Sequence, residues 1–329
     1  MKATTLNIAR AFCFVAAVWI CFGHNTQTIV QGAPRVVERS SSNEVAPSDG
    51  SGGAVKVGVD LVLVPVTVMD QMGRLVLGLE KESFNVFDQG KPEVIRHLSS
   101  EDAPISVGII FDASGSMYGK MERSREAVLQ FLRSSNPEDE FFLVAFNDRP
   151  QLLVDFTGSA DEIQDEIAKV KPDGGTALLD ALYLGLDQIK KARNERRVLL
   201  VVSDGGDNHS RYTAKEVWPV LREADVQIYA MGIFDEAPRT QAERLGPDLL
   251  AFATGITGGR TFAIRNLKRV GDAAAELSIE LRNQYLLAYR PNNLAHDGMW
   301  HKLTVQVTPP PTLPRLRVYA KAGYYAPAQ

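Results

Sequence analysis

Between residues 104 and 283, short, largely apolar runs alternate with stretches of helical period. "ISVGIIFD", "EFFLVAF", "RRVLLVV" and "VQIYAMGIF" carry apolar side chains on both faces. Between them lie stretches with one apolar stripe. One holds Ala127, Val128, Phe131 and Leu132; a second Leu178, Leu182, Leu186 and Ile189; a third Val270, Ala274, Leu277 and Leu281. A strand apolar on both faces must be covered on both faces, and amphipathic helices in alternation provide that cover. The expected fold is α/β: a doubly wound, mostly parallel sheet over residues 104–283.

Local signals set the element ends. Ser159 stands where an N-cap is expected, with Glu162 three residues on completing a capping box. Pro219 predicts a kink in the helix around "TAKEVWPVLREAD", and the helix through "DLLAFATGI" is expected to stop near Gly255.

The flanks have a different texture. Residues 56–103 are β-rich, with a turn at "MDQMGRLV" centred on Gly73 and a hairpin in "FNVFDQGKPEVIRHL" with "DQGK" at its tip. Pro65 in "VDLVLVPVTVMD" predicts an edge strand or a bulge. Residues 284–329 hold further strands. In "HKLTVQV", Leu303, Val305 and Val307 alternate with polar neighbours, the pattern of a half-exposed antiparallel strand. Each flank alone is small for an independent core. Packing both together as one small β-sandwich is the simplest solution, and two separate appendages are the alternative.

At the N-terminus, Lys2 and Arg10 precede "AFCFVAAVWICFG". That apolar run is short for a membrane span and suits a signal peptide over residues 1–33. An uncleaved anchor is the other reading, and the only contact with a membrane that is expected. Bulky "VWI" before Cys21 argues against a lipoprotein site. Residues 34–55, rich in Ser, Gly and Pro, read as a disordered linker. Both cysteines, Cys13 and Cys21, lie in the leader, so a cleaved product has no thiol for catalysis, metal binding or a disulfide. The expectation is an exported protein: periplasmic, envelope-bound or secreted. A net charge of −4, without long basic runs, gives no reason to expect nucleic acid binding.

In an open α/β sheet, ligands sit beyond the C-terminal ends of the strands. Three loops reach that edge. "FDASGS" supplies Asp112, Ser114 and Ser116; "DGGTALLD" supplies Thr176; "VVSDGGDN" supplies Asp204. No dinucleotide or P-loop pattern is present. The set consists of acceptors, and hard oxygen acceptors gathered together suit magnesium, manganese or calcium. Ser114 and Ser116 could instead cap the helix near Gly119, but capping leaves Thr176 and Asp204 unexplained.

D-x-S-x-S, then G-G-T, then S-D-G, in this order, resembles the metal-ion-dependent adhesion site of the von Willebrand factor A domain. The flanks are similar to those of the VWFA-related domain family of secreted bacterial proteins. The resemblance covers about 180 residues and matches all five ligand positions: Asp112, Ser114, Ser116, Thr176 and Asp204. It implies a magnesium or manganese site, with calcium possible, at which a protein partner places an Asp or Glu. Tyr118, Asn147, Asp148, His209 and Arg211 are candidates for a rim touching that partner. Asp207 and Asn208 are expected to shape the loop, and Asp180 to lie on a helix surface.

A metal-dependent hydrolase competes with this reading. Ser114 does not sit in a G-x-S-x-G elbow, and of five histidines only His209 falls near the strand ends. No catalytic residue is assigned and no enzyme is expected. An envelope assembly factor or scaffold is the third reading.

Overall fold

The computed structural model describes residues 61–100, 102–292, 297–309 and 315–326. The leader and the linker expected before them lie outside the described residues. In chain order the elements are β1 (Val62–Met69), β2 (Phe84–Asp88), β3 (Lys91–Glu93), β4 (Ile95–Ser99), β5 (Ile105–Asp112), α1 (Met121–Leu132), β6 (Glu140–Phe146), β7 (Pro150–Thr157), α2 (Ala160–Lys169), α3 (Leu178–Ile189), β8 (Arg196–Ser203), α4 (Ala214–Glu223), β9 (Gln227–Ile233), α5 (Gln241–Thr257), β10 (Thr261–Ile264), α6 (Val270–Arg282), β11 (Tyr285–Tyr289), β12 (Trp300–Val307), β13 (Arg317–Ala320) and β14 (Gly323–Tyr325).

The apolar runs become a six-stranded sheet of order β10-β9-β8-β5-β6-β7. All its neighbouring pairs are parallel except β6 with β7. Every residue of β5, β6 and β9 is buried. Alternate residues point to opposite faces. Val107, Ile109 and Phe111 share one core with Val128 and Phe131 of α1, Ile163 and Ile167 of α2, and Leu277 and Leu281 of α6. Ile110 turns the other way, into a second core with Leu182 and Leu186 of α3, Val217 and Leu221 of α4, and Leu250 of α5. Helices on both faces of a mostly parallel sheet make the doubly wound fold that the alternation dictates.

The flanks form two four-stranded sheets, β13-β1-β11-β4 and β14-β12-β2-β3. Each mixes strands from before and after the α/β domain. Their inner faces share one core of Val64, Val66, Val68, Phe84, Val86, Ile95, Tyr285, Leu287, Tyr289 and Leu303. This is a β-sandwich, not two appendages. A polar knot at Asp88 ties it. The carboxylate accepts the hydroxyls of Tyr289 (3.0 Å) and Tyr324 (2.7 Å), and lies 3.1 Å from Nδ1 of His301. Those four residues come from β2, β11, β14 and β12.

Asp139 joins the ends of the α/β domain. It is buried, accepts the amide of Ile105 at 2.9 Å, and pairs with Arg282 at the end of α6.

Four local expectations change. Pro65 sits in β1, an inner strand rather than an edge, but β13 pairs only from Val66 onward, so the missing N–H breaks no β13 ladder bond. α5 passes through Gly255 and stops at Gly258, whose φ of 83° is the left-handed conformation of a helix end. Ser159 does accept from Glu162 N, at 3.3 Å. The two-way boxes form instead at Thr213 with Glu216 and at Thr240 with Glu243. "MDQMGRLV" turns at Gly73, but is followed by a single bridge, Met69 to Leu75, rather than a strand.

Candidate metal centre

β5 and β8 are neighbours, so their loops emerge side by side at the C-terminal edge. Asp112 is the last residue of β5 and is wholly buried. Its Oδ1 accepts the amide of Ser114 (2.8 Å), which folds the chain back after the strand. Its Oδ2 accepts the hydroxyl of Ser203 (2.5 Å), the last residue of β8. Ser203 Oγ in turn accepts Gly205 N at 2.9 Å. One carboxylate therefore shapes two loops. Ser114 Oγ and Ser116 Oγ lie 3.1 Å apart on the 3-10 turn that follows.

The loop before α3 is laid across this turn by two backbone bonds, Gly115 N to Gly174 O (3.1 Å) and Asp173 N to Ala113 O (2.9 Å). It presents Thr176, which is buried. Asn208 Oδ1 accepts Thr176 N (2.9 Å), and Thr176 O accepts the amides of Asn208 and His209 (3.0 Å each). Asp207 Oδ1 accepts Leu178 N (3.0 Å) at the start of α3. Asp207 and Asn208 thus shape the loop, as expected.

Asp204 follows β8 and is buried. Its Oδ1 accepts Gly206 N (3.1 Å), and its Oδ2 accepts Lys120 Nζ (3.0 Å). Close backbone packing fixes its position. A Cβ on Gly246 of α5 would lie 2.3 Å from Asp204 O, and a Cβ on Gly205 would lie 2.5 Å from Gly246 O.

All five candidate ligands therefore belong to three loops that hold one another by direct bonds. Burial, and then the nearby charge of Asp204, push the Asp112 carboxyl up to about 7. The hydrogen bonds from Ser114 and Ser203 act in the opposite direction without overcoming this. Two buried carboxylates, with the charge of Asp204 bearing on Asp112 and hydroxyl oxygens beside them, form a donor set that a hard divalent cation would complete. Among the described residues, no group of three or more His, Cys, Asp or Glu side chains is placed to hold a metal. The fit here rests on the hydroxyls as much as on the two acids.

The rim residues fare differently. Tyr118 is 82% exposed and projects beside the serine turn. Asp148 Oδ1 accepts Gly175 N (2.6 Å), and His209 Nε2 lies 3.8 Å from that same oxygen. Asn147 O accepts Ala177 N (2.8 Å). Arg211 has an exposed side chain anchored on Asp180, Nε to Oδ2 at 3.0 Å. Asp180 is not on the helix surface. It is buried, and also accepts the amides of Arg211 (2.9 Å) and Tyr212 (3.0 Å), so it organises the loop after β8.

Sequence reasoning missed Lys120 and its second partner Asp235, 2.8 Å away. A lysine one residue before an amphipathic helix has no pattern that separates it from a surface lysine. Ser203 stood inside the quoted "SDG", but its bond to Asp112 depends on strand adjacency.

Residues 107–206 match the von Willebrand factor type A domain family. The inter-alpha-trypsin inhibitor heavy chain H2 of Sus scrofa is 25% identical over 181 residues, 50% of this chain and 19% of that protein. The H4 heavy chain of Bos taurus is 28% identical over 115 residues, 31% of this chain and 13% of that protein. The chain thus spans less than a fifth of these relatives' length. An uncharacterized protein of Synechocystis sp. is 28% identical over 198 residues, 56% of this chain and 47% of that one. Among solved structures, a von Willebrand factor type A protein from Catenulispora acidiphila aligns with a TM-score of 0.48 and 13% identity, covering 82% of this chain and 75% of that one.

Proposed function

We propose that this von Willebrand factor type A domain protein is an exported interaction module that binds an acidic residue of a protein partner through a divalent cation. Asp112, Ser114, Ser116, Thr176 and Asp204 would hold the ion, magnesium or manganese by preference. The observation that carries this reading is the donor set at the strand ends: two buried carboxylates, the buried hydroxyls of Ser114 and Thr176, and the half-buried hydroxyl of Ser116. When bound, the cation would supply an electrophilic site with a coordination position for an incoming carboxylate.

The residues divide the work. Asp112 orients Ser114 through its amide and tethers the β8 loop through Ser203. Ser114 and Ser116 offer neutral oxygens, which leave more of the ion's charge uncompensated than carboxylates would. Thr176 rides on a loop whose amides are held by Asp148, Asn208 and Asp207. Tyr118, the most exposed aromatic beside the site, is suited to cover the partner's acidic side chain.

Export to the envelope or beyond is part of the proposal and rests on the N-terminal sequence. A hydrolase finds little support in the geometry. His209 approaches Asp148, and among the described residues no histidine hydrogen-bonds to Ser114 or Ser116.

Calorimetry tests the site: magnesium or manganese should bind, and Asp112→Ala should abolish binding. Binding unchanged in that variant overturns the assignment. Capture of a partner from envelope extracts, with and without chelator, tests the function. A partner held equally well under both conditions favours a scaffold.

A further inference from the structure

Lys120 stands in an unusual place. Its side chain is only 7% exposed, and its ammonium bridges Asp204 Oδ2 at 3.0 Å and Asp235 Oδ2 at 2.8 Å. Lysine is rarely buried, and when buried it needs charged partners. One of those partners is a candidate metal ligand. The other, just past β9, is half exposed. Both oxygens of Asp204 thus already have donors, an amide on Oδ1 and an ammonium on Oδ2.

We propose that Lys120 is a positioning residue that sets how strongly this site holds its cation, by sharing Asp204 with the ion and removing one negative charge from the site. The inference rests on the metal reading above and deepens it. With both acids ionised, as a bound cation would require, Asp112, Asp204 and Lys120 together carry a net charge of −1 instead of −2. A site of lower negative charge binds the ion less tightly. It also leaves more of the ion's charge for a partner's carboxylate. Asp235 works in the opposite direction: it draws part of the ammonium's charge away from Asp204. The same ammonium holds Asp204 in position when no cation is bound, because a second buried carboxylate beside Asp112 would otherwise lack a counter-charge.

The test is calorimetric titration of magnesium chloride, and separately manganese chloride, into wild type, Lys120→Met and Asp235→Asn. Methionine keeps the length of the side chain without its charge. Lys120→Met should tighten magnesium binding at least tenfold, while chelator-treated protein becomes less stable in urea. Asp235→Asn should weaken binding about threefold or more. A residue that merely props up the loop would give weaker or unchanged binding in Lys120→Met. Measurable wild-type binding, with Lys120→Met folded and binding no more tightly, overturns this inference and leaves the metal site standing. Should Lys120→Met not fold, unchanged affinity in Asp235→Asn overturns it instead. If wild type binds neither ion, the metal reading itself falls, and this inference with it.

Discussion

Asp112→Asn separates stability from metal binding. Asp112 is fully buried, and its carboxyl is raised from 3.8 to about 7 by burial and by Asp204. A carboxyl held up in the folded state favours the fold at low pH, and that favour is lost as pH rises toward 7. From 3.8 to about 7, at about 1.4 kcal/mol per pH unit, the accumulated cost at pH 8 is about 4 kcal/mol in metal-free protein. Asparagine is neutral at every pH, so it avoids that cost. Its Oδ1 still accepts Ser114 N, but Ser203 loses a charged acceptor, worth about 1.5–3 kcal/mol. In chelator at pH 8 the variant should therefore be more stable than wild type by about 2 kcal/mol. At pH 4.5 the advantage should vanish. Magnesium should restore wild type at pH 8 and leave the variant unchanged. Urea denaturation at the two pH values, with chelator or with magnesium, measures all of this. A variant less stable than wild type at both pH values in chelator would refute the reasoning, because Asp112 would then be an ordinary structural acceptor.

Gly246→Ala should improve intrinsic helix propensity by about 1 kcal/mol. Its Cβ would overlap Asp204 O, however, so a net loss of about 2 kcal/mol and weaker magnesium binding are expected from denaturation and calorimetry. A stabilised variant would show that the α5 contact yields easily. Asp88→Ala should cost about 3 kcal/mol or more in urea denaturation, since two tyrosine hydroxyls and His301 lose their acceptor; a loss under 1 kcal/mol would show that the knot is dispensable. Asp180→Ala should free the backbone of Arg211 and Tyr212 and bring early protease cleavage between 207 and 213, read by mass spectrometry, while the global midpoint moves less. An unchanged cleavage pattern would mean the loop is held elsewhere.

What could be read from sequence was what neighbours along the chain decide. Strands buried on both faces and helices with one stripe announce themselves, because their environment is uniform over eight to twelve residues. Two of the three candidate ligand loops were readable because each follows an apolar run, and the third because Thr176 stands in "GGT" at a helix start. Pairings over long separations were not readable in detail. Pro65 looks like an edge residue until β13 is seen to stop one residue short of it. Gly255 and Gly258 look alike, but a Cβ on Gly258 would meet the backbone of Lys321, far along the chain. Lys120 and Asp180 look like ordinary helix charges. Each is buried because an acid or loop more than 25 residues away folds over it. Charge alone carries no signal of burial, so such polar contacts are where the sequence falls short.

The interleaved sandwich also imposes a schedule. Ser99 of β4 pairs with Leu286 of β11, and the whole α/β domain is synthesised between them. At ~5–20 residues per second, the first strands wait on the order of ten to forty seconds for their partners. During that interval β1, an aliphatic strand, offers two unpaired edges to other nascent chains. Pro65 interrupts one of the hydrogen-bonding rows midway along it. Replacing it with valine should raise aggregation on refolding while changing the native midpoint little, and equal light scattering from both proteins would argue against this role. A residue that looks misplaced in the finished sheet thus has its use earlier, as protection for a strand that must wait.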